Sequence, residues 1–115
     1  MKKYRIVNRT RGSVLGVSVE RADTSETRRK GLLGRTGLGK GEGLWIVPTE
    51  GIHTFFMKFA IDVLFLSQGL EVVRVMENLK PWRISPWVFR AHSVLELFGG
   101  IINGSVRKGD FLEFR

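Results

Sequence analysis

Ile61-Asp62-Val63-Leu64-Phe65-Leu66-Ser67-Gln68-Gly69-Leu70-Glu71-Val72-Val73-Arg74-Val75-Met76-Glu77 is the stretch that decides the fold. Two short runs, Ile61 to Leu66 and Leu70 to Glu77, flank the turn-forming Ser67-Gln68-Gly69 and read as an antiparallel hairpin. The apolar stretch from Phe59 to Leu66 is the longest in the chain and carries Asp62 in its middle. It is far too short to span a bilayer.

Working outward, Tyr4 to Val7 and Val14 to Glu20 read as two strands joined by the polar turn Asn8 to Gly12, with Leu15, Val17 and Val19 on one face by period two. A helix is expected from Thr24 to Leu33, with Asp23 as its cap and Glu26 placed for a capping box, ending at Gly34. Gly37, Gly39, Gly41 and Gly43 mark a loop. Leu44 to Val47 is a short strand stopped by Pro48, and Ile52 to Phe59 a further, aromatic-rich strand. Beyond the hairpin, residues 80–88 form an extended surface loop, Arg90 to Leu97 a strand, Gly99 to Gly104 a turn, and Phe111 to Phe114 the last strand. The expected fold is mainly β (α+β): a small β-sandwich or barrel-like domain with one short helix, occupying residues 1–115 as a single domain.

With 115 residues, 43% of them apolar, there is material for one core. The chain has no cysteine, so no disulfide holds it together, and a reducing compartment fits. Met1-Lys2-Lys3-Tyr4-Arg5 lacks a following apolar segment because Asn8, Arg9 and Arg11 interrupt it. A cytoplasmic location without membrane insertion is therefore the expectation.

The net charge of +8 is localised: residues 1–40 hold 11 Lys/Arg against 3 Asp/Glu, and residues 41–115 hold 8 of each. Arg28, Arg29, Lys30, Arg35 and Lys40 are the candidate polyanion surface, expected to bind weakly and with salt sensitivity. The rival explanation is a solvated basic face that aids solubility. No helix-turn-helix, zinc finger or RNA-recognition aromatic motif is present to read a base sequence.

Gly34-Arg35-Thr36-Gly37-Leu38-Gly39-Lys40-Gly41 imitates a P-loop, but the magnesium-holding hydroxyl is replaced by Gly41. The segment also follows a helix and enters a strand, the inverse of that motif, so nucleotide hydrolysis is not expected. The two histidines, His53 and His92, show no metal-ligand spacing, and no metal or other cofactor is expected. There is no Gly-x-Ser-x-Gly elbow and no thiol nucleophile. Asp62, Glu77, Glu96 and Glu113 lie in apolar surroundings, where a carboxylate needs partners. Asp62 either turns outward or caps a bend, or else forms part of a site. In His53-Thr54-Phe55-Phe56-Met57-Lys58-Phe59, strand alternation would place His53, Phe55, Met57 and Phe59 on one face. Lys108-Gly109-Asp110 reads as a structural turn.

Arg29-Lys30-Gly31-Leu32-Leu33-Gly34-Arg35, Glu42-Gly43-Leu44 and the block from His53 to Leu66 resemble the family catalogued as domain of unknown function 192. Glu77-Asn78-Leu79, Pro81-Trp82-Arg83, Val94-Leu95-Glu96-Leu97 and Lys108-Gly109-Asp110 extend the resemblance over residues 17–115. It implies a compact, mostly β, sandwich-like or barrel-like domain and assigns no activity. Ala60, Ser67 and Phe98-Gly99-Gly100 depart from the Pro, Asp and Pro-Ala-Gly usual in such members.

The functional expectation is a non-catalytic binding module for an anionic ligand or protein partner, with His53, Lys58, Asp62 and Glu96 as ligand-binding candidates. No catalytic residue is assigned; the alternative is a small acid–base enzyme built on His53, Asp62 and Glu96, with Lys58 nearby. Trp82, Arg83 and Trp87 are the candidate partner surface, against the simpler possibility that both rings cover the core. Convergence of His53, Lys58, Asp62 and Glu96 on one concave surface separates the two functional readings.

Overall fold

The structure, a computed structural model, describes residues 2–115. Among these residues, seven strands, β1 (Lys3–Asn8), β2 (Ser13–Ala22), β3 (Glu42–Ile46), β4 (Ile61–Leu66), β5 (Val72–Leu79), β6 (Ser93–Phe98) and β7 (Leu112–Phe114), accompany one helix, α1 (Ser25–Lys30). They form one sheet in the order β5-β4-β6-β3-β2-β1-β7. The β4–β5 pair is the hairpin expected from the sequence. Every neighbouring pair is antiparallel except β2–β3. Two parallel strands cannot be joined by a tight turn, and the crossover between them carries α1 and the Gly-rich loop.

The sheet curls. Its two ends approach through an antiparallel bridge between Glu71 and Phe111, reinforced by Val72 N–H donating to the Asp110 carbonyl at 2.7 Å and Leu112 N–H to the Leu70 carbonyl at 3.0 Å. The barrel-like reading holds, as a half-barrel of a single sheet rather than two stacked sheets. All six residues of β4 are buried, because both sheet faces are covered. Leu64 and Leu66 join Leu95, Leu97, Ile6 and Ile102 inside the curl. Ile61, Val63 and Phe65 join Val94, Leu32, Ile46 and Met57 on the opposite face.

Local structure differs from expectation at three places. The helix spans Ser25–Lys30 rather than Thr24 to Leu33, and its cap is Thr24, not Asp23. The Thr24 hydroxyl accepts from Thr27 N–H, and the Thr27 side chain, not Glu26, completes the capping box. Gly31, at φ 50°, ends the helix three residues before Gly34. Ile52 to Phe59 is no strand; only His53 bridges, to Ile84. The chain folds back there, with Met57 N–H donating to the Thr54 carbonyl and Phe56 in a left-handed conformation (φ 65°). Thr54 and Met57 are buried while His53, Phe56 and Lys58 are exposed, which breaks the alternation. The last long strand begins at Ser93 rather than Arg90.

Two buried aspartates hold the turns. Asp62 does not point outward: its carboxylate accepts the N–H groups of Asn78 (2.8 Å), Gly100 (3.0 Å) and Ile102 (2.9 Å). The turn after β6 thus spends its backbone donors on the chain's own anion. Asp110 accepts from Arg11 Nε (2.7 Å), Asn8 Nδ2 and Arg107 N–H (both 2.9 Å). Burial works against its charge, but those hydrogen bonds, with the Arg11 guanidinium, hold its carboxyl below the usual range.

Candidate functional site

Among the described residues, Glu96 is the one carboxylate whose burial is not compensated. It lies on β6, inside the sheet, and by strand alternation faces the same side as Val94, toward α1. Only 3% of it is accessible, and its Oε1 has no hydrogen-bond partner among the described residues. Burial pushes its pKa from 4.5 to about 8, outweighing the opposite pull of the Arg35 guanidinium. At neutral pH it is a carboxylic acid with a proton to donate.

β3 approaches β6 closely here because Gly43 has no side chain; a Cβ at that position would lie 2.7 Å from the Glu96 carbonyl oxygen.

Glu96 lines a cavity of about 170 Å³. One wall is the last turn of α1, contributing Arg28, Arg29 and Lys30, and the other is the segment from Pro48 to His53; Ile46 and Met57 supply apolar surface. The β2–β3 crossover puts the helix there. Its last turn is basic, which suits the negative end of the helix dipole. Arg28 Nη1 donates to the Pro48 carbonyl at 3.2 Å, bracing the walls, while Arg28 Nε has no partner among the described residues. The second wall is fixed by reciprocal bonds between Ile52 and Ser85, Ile52 N–H to Ser85 Oγ and Ser85 N–H to the Ile52 carbonyl, each at 2.8 Å. His53 Nδ1 accepts from Phe55 N–H at 3.3 Å, so the neutral ring carries its proton on Nε2.

Of the four ligand-binding candidates, His53 and Glu96 line this cavity and Lys58 and Asp62 do not, so the set converges only in part. Asp62 is committed to backbone amides inside the curl, and Lys58 is exposed on the loop before β4. The expected polyanion set also divides. Arg28, Arg29 and Lys30 line the cavity; Arg35 pairs with Glu20 at 3.6 Å, and Lys40 is exposed on the Gly-rich loop. Two groups that the sequence suggested separately, a basic helix and a buried acid, therefore share one cavity. The Arg28–Pro48 brace and Thr49 carry no signal in the sequence, since no local pattern marks them. Among the described residues no three His, Asp or Glu side chains cluster as a metal would need.

Trp82 and Trp87 do not cover the core: they are 56% and 77% exposed, with Arg83 between them.

A UPF0127 protein of Pyrococcus furiosus is 35% identical over 115 residues, covering 95% of this chain and 97% of its own. Another, from Thermococcus sibiricus, is 33% identical over 103 residues, 85% of this chain and 66% of its own. The crystal structure of a protein of unknown function from Novosphingobium aromaticivorans superposes with a TM-score of 0.81 at 24% identity, covering 96% of this chain and 83% of that one, and shares the fold. The profile of domain of unknown function 192, described as an uncharacterized ACR, matches residues 6–114. The chain belongs to that family.

Proposed function

We propose that this protein is a binding module for a small oxyanion, held between α1 and the Pro48–His53 segment. The observation that carries the reading is Glu96: a buried acid, protonated at neutral pH, facing a cavity lined by three cationic residues. A lone buried carboxyl with an unpaired oxygen costs stability and is retained where it has a partner to meet. The cations attract an anion, and the Glu96 O–H donates to it. The cavity suits a group of sulfate or phosphate size, and Arg28 Nε offers a further donor.

Titration calorimetry with sulfate, which stays fully ionised at neutral pH, tests this. One saturable site is expected, weakened at least tenfold in Arg29→Glu and in Glu96→Leu. Absence of binding at low ionic strength, or unchanged affinity in both variants, would overturn it.

A second reading, acid–base catalysis, is favoured by one observation: His53 lines the same cavity as an acid whose pKa is near the working pH. It requires turnover that is lost in both His53→Ala and Glu96→Gln. Sulfate affinity that survives His53→Ala, with no turnover in the native chain, favours the module.

A further inference from the structure

We propose that the face built from residues 52–59 and 80–90 rests on an anionic lipid bilayer, with its rings at headgroup level and no segment crossing. Five large apolar side chains, Phe56, Trp82, Ile84, Trp87 and Phe89, project there with between 56% and 90% of their surface exposed. Four of them form a connected patch with Phe55. Trp82 is 4.6 Å from Phe56 and 6.0 Å from Phe55, ring centre to ring centre, and Phe55, Ile84 and Trp87 line one shallow apolar groove. A patch of this kind on a small domain marks an interaction surface.

The backbone holds the rings outward. Phe56 and Trp82, the two rings in contact, both take left-handed conformations, φ 65° and 64°, which bulky residues avoid. Buried Thr54 enforces this. Its carbonyl accepts from Met57 and Trp82 N–H, and its hydroxyl accepts from Arg83 N–H at 2.9 Å and donates to the Lys80 carbonyl at 2.6 Å. Strain is thus accepted at two positions on this face where a ring ends in solvent, as on functional surfaces; Leu70 is the other bulky residue in that conformation.

The charge on this face names its partner. Residues 52–59 and 80–90, which build the face, contain no Asp or Glu, yet carry Lys58, Lys80, Arg83 and Arg90. Arg90 pairs with Glu71 at 3.3 Å. Lys58, Lys80 and Arg83 have no carboxylate within salt-bridge distance among the described residues. A second copy would set these cations against themselves. The rings also stand out rather than enclose a deep slot, and a headgroup layer accepts protruding Trp and Phe without shape matching while its phosphates meet the cations.

Co-sedimentation of the full chain with phosphatidylcholine vesicles, and with vesicles of equal parts phosphatidylcholine and phosphatidylglycerol, tests this at low ionic strength. Binding to the anionic vesicles is expected, with a blue shift of tryptophan emission. Binding to neutral vesicles should be weaker by on the order of a hundredfold, as three juxtamembrane cations imply. The triple variant Phe56→Ser, Trp87→Ser, Phe89→Ser alters exposed side chains only, and should bind at least tenfold more weakly with an unchanged circular dichroism spectrum. Lys58→Glu, Lys80→Glu, Arg83→Glu should abolish the preference for anionic vesicles. The proposal fails if anionic vesicles do not bind the chain. It fails equally if Arg28→Glu, Arg29→Glu, Lys30→Glu abolishes binding while the aromatic variant leaves it intact. A dimer in sedimentation equilibrium that Trp82→Ala and Trp87→Ala dissociate would give the face to a second copy instead, as capture of an acidic peptide without vesicle binding would give it to a protein.

Discussion

Protonated Glu96 makes stability fall as pH rises, opposite to the usual carboxylate. Below 4.5 both folded and unfolded chains hold the proton. Above it the unfolded chain releases the proton while the fold must keep it, so stability declines from about pH 4.5 and levels off past about pH 8. At about 1.4 kcal/mol for each pH unit of that window, the full loss is about 5 kcal/mol. That is a large part of the roughly 5–15 kcal/mol that holds a domain folded. Solvent screens it little, since only 3% of the residue is accessible. Glu96→Gln removes the titration, so its stability should stay level over the window and exceed the native chain's at the alkaline end. Urea denaturation followed by tryptophan emission at about pH 5 and about pH 9 reads about 4 kcal/mol of the effect: with an m-value of about 1–3 kcal/mol/M, the native midpoint should drop about 1–4 M relative to the variant's. Parallel pH dependence of the two proteins, within about 1 kcal/mol, would refute the assignment of Glu96 as a buried, uncompensated acid.

Asp62→Ala strips three backbone N–H groups of their acceptor and should cost at least about 3 kcal/mol in chemical denaturation. Gly43→Ala drives a methyl to 2.7 Å from the Glu96 carbonyl oxygen, which is backbone and cannot swing aside, so a loss of about 1–3 kcal/mol is expected. Asp110, held below its ordinary pKa of 3.8, contributes stability that is present above that value and lost as pH falls through its lower folded value. Asp110→Asn should flatten the acid limb of a thermal-denaturation pH series, which a series run from neutral to acid pH will check.

Much of the sheet was legible because period and punctuation agree: the hairpin around Ser67-Gln68-Gly69 and the strands at Tyr4, Val14 and Leu44 follow from patterns within a few residues. The Ile52–Phe59 segment misled because aromatic, β-favouring residues fill a loop whose shape is set by Thr54, a tertiary anchor with no local signature. The helix ended early because Gly31 supplied the positive φ that Gly34 was expected to provide. Glu96 and His53 were legible as chemistry-bearing residues in apolar company, but not that α1 would join them. That depends on the parallel β2–β3 pairing, which no local pattern marks because the α1 crossover lies between the two strands. Asp62 showed the same sequence signal as Glu96 and proved to be a structural anchor. The difference is three backbone donors brought in by distant turns.

Carbon-13 NMR of the Glu96 side-chain carboxyl, followed across pH with and without sulfate, reads both the buried proton and the anion beside it. A midpoint near 8 is expected in the free protein, displaced upward by sulfate, since an anion in the cavity disfavours a second negative charge beside it. A midpoint near 4.5, or one that saturating sulfate leaves in place, would contradict the proposed site.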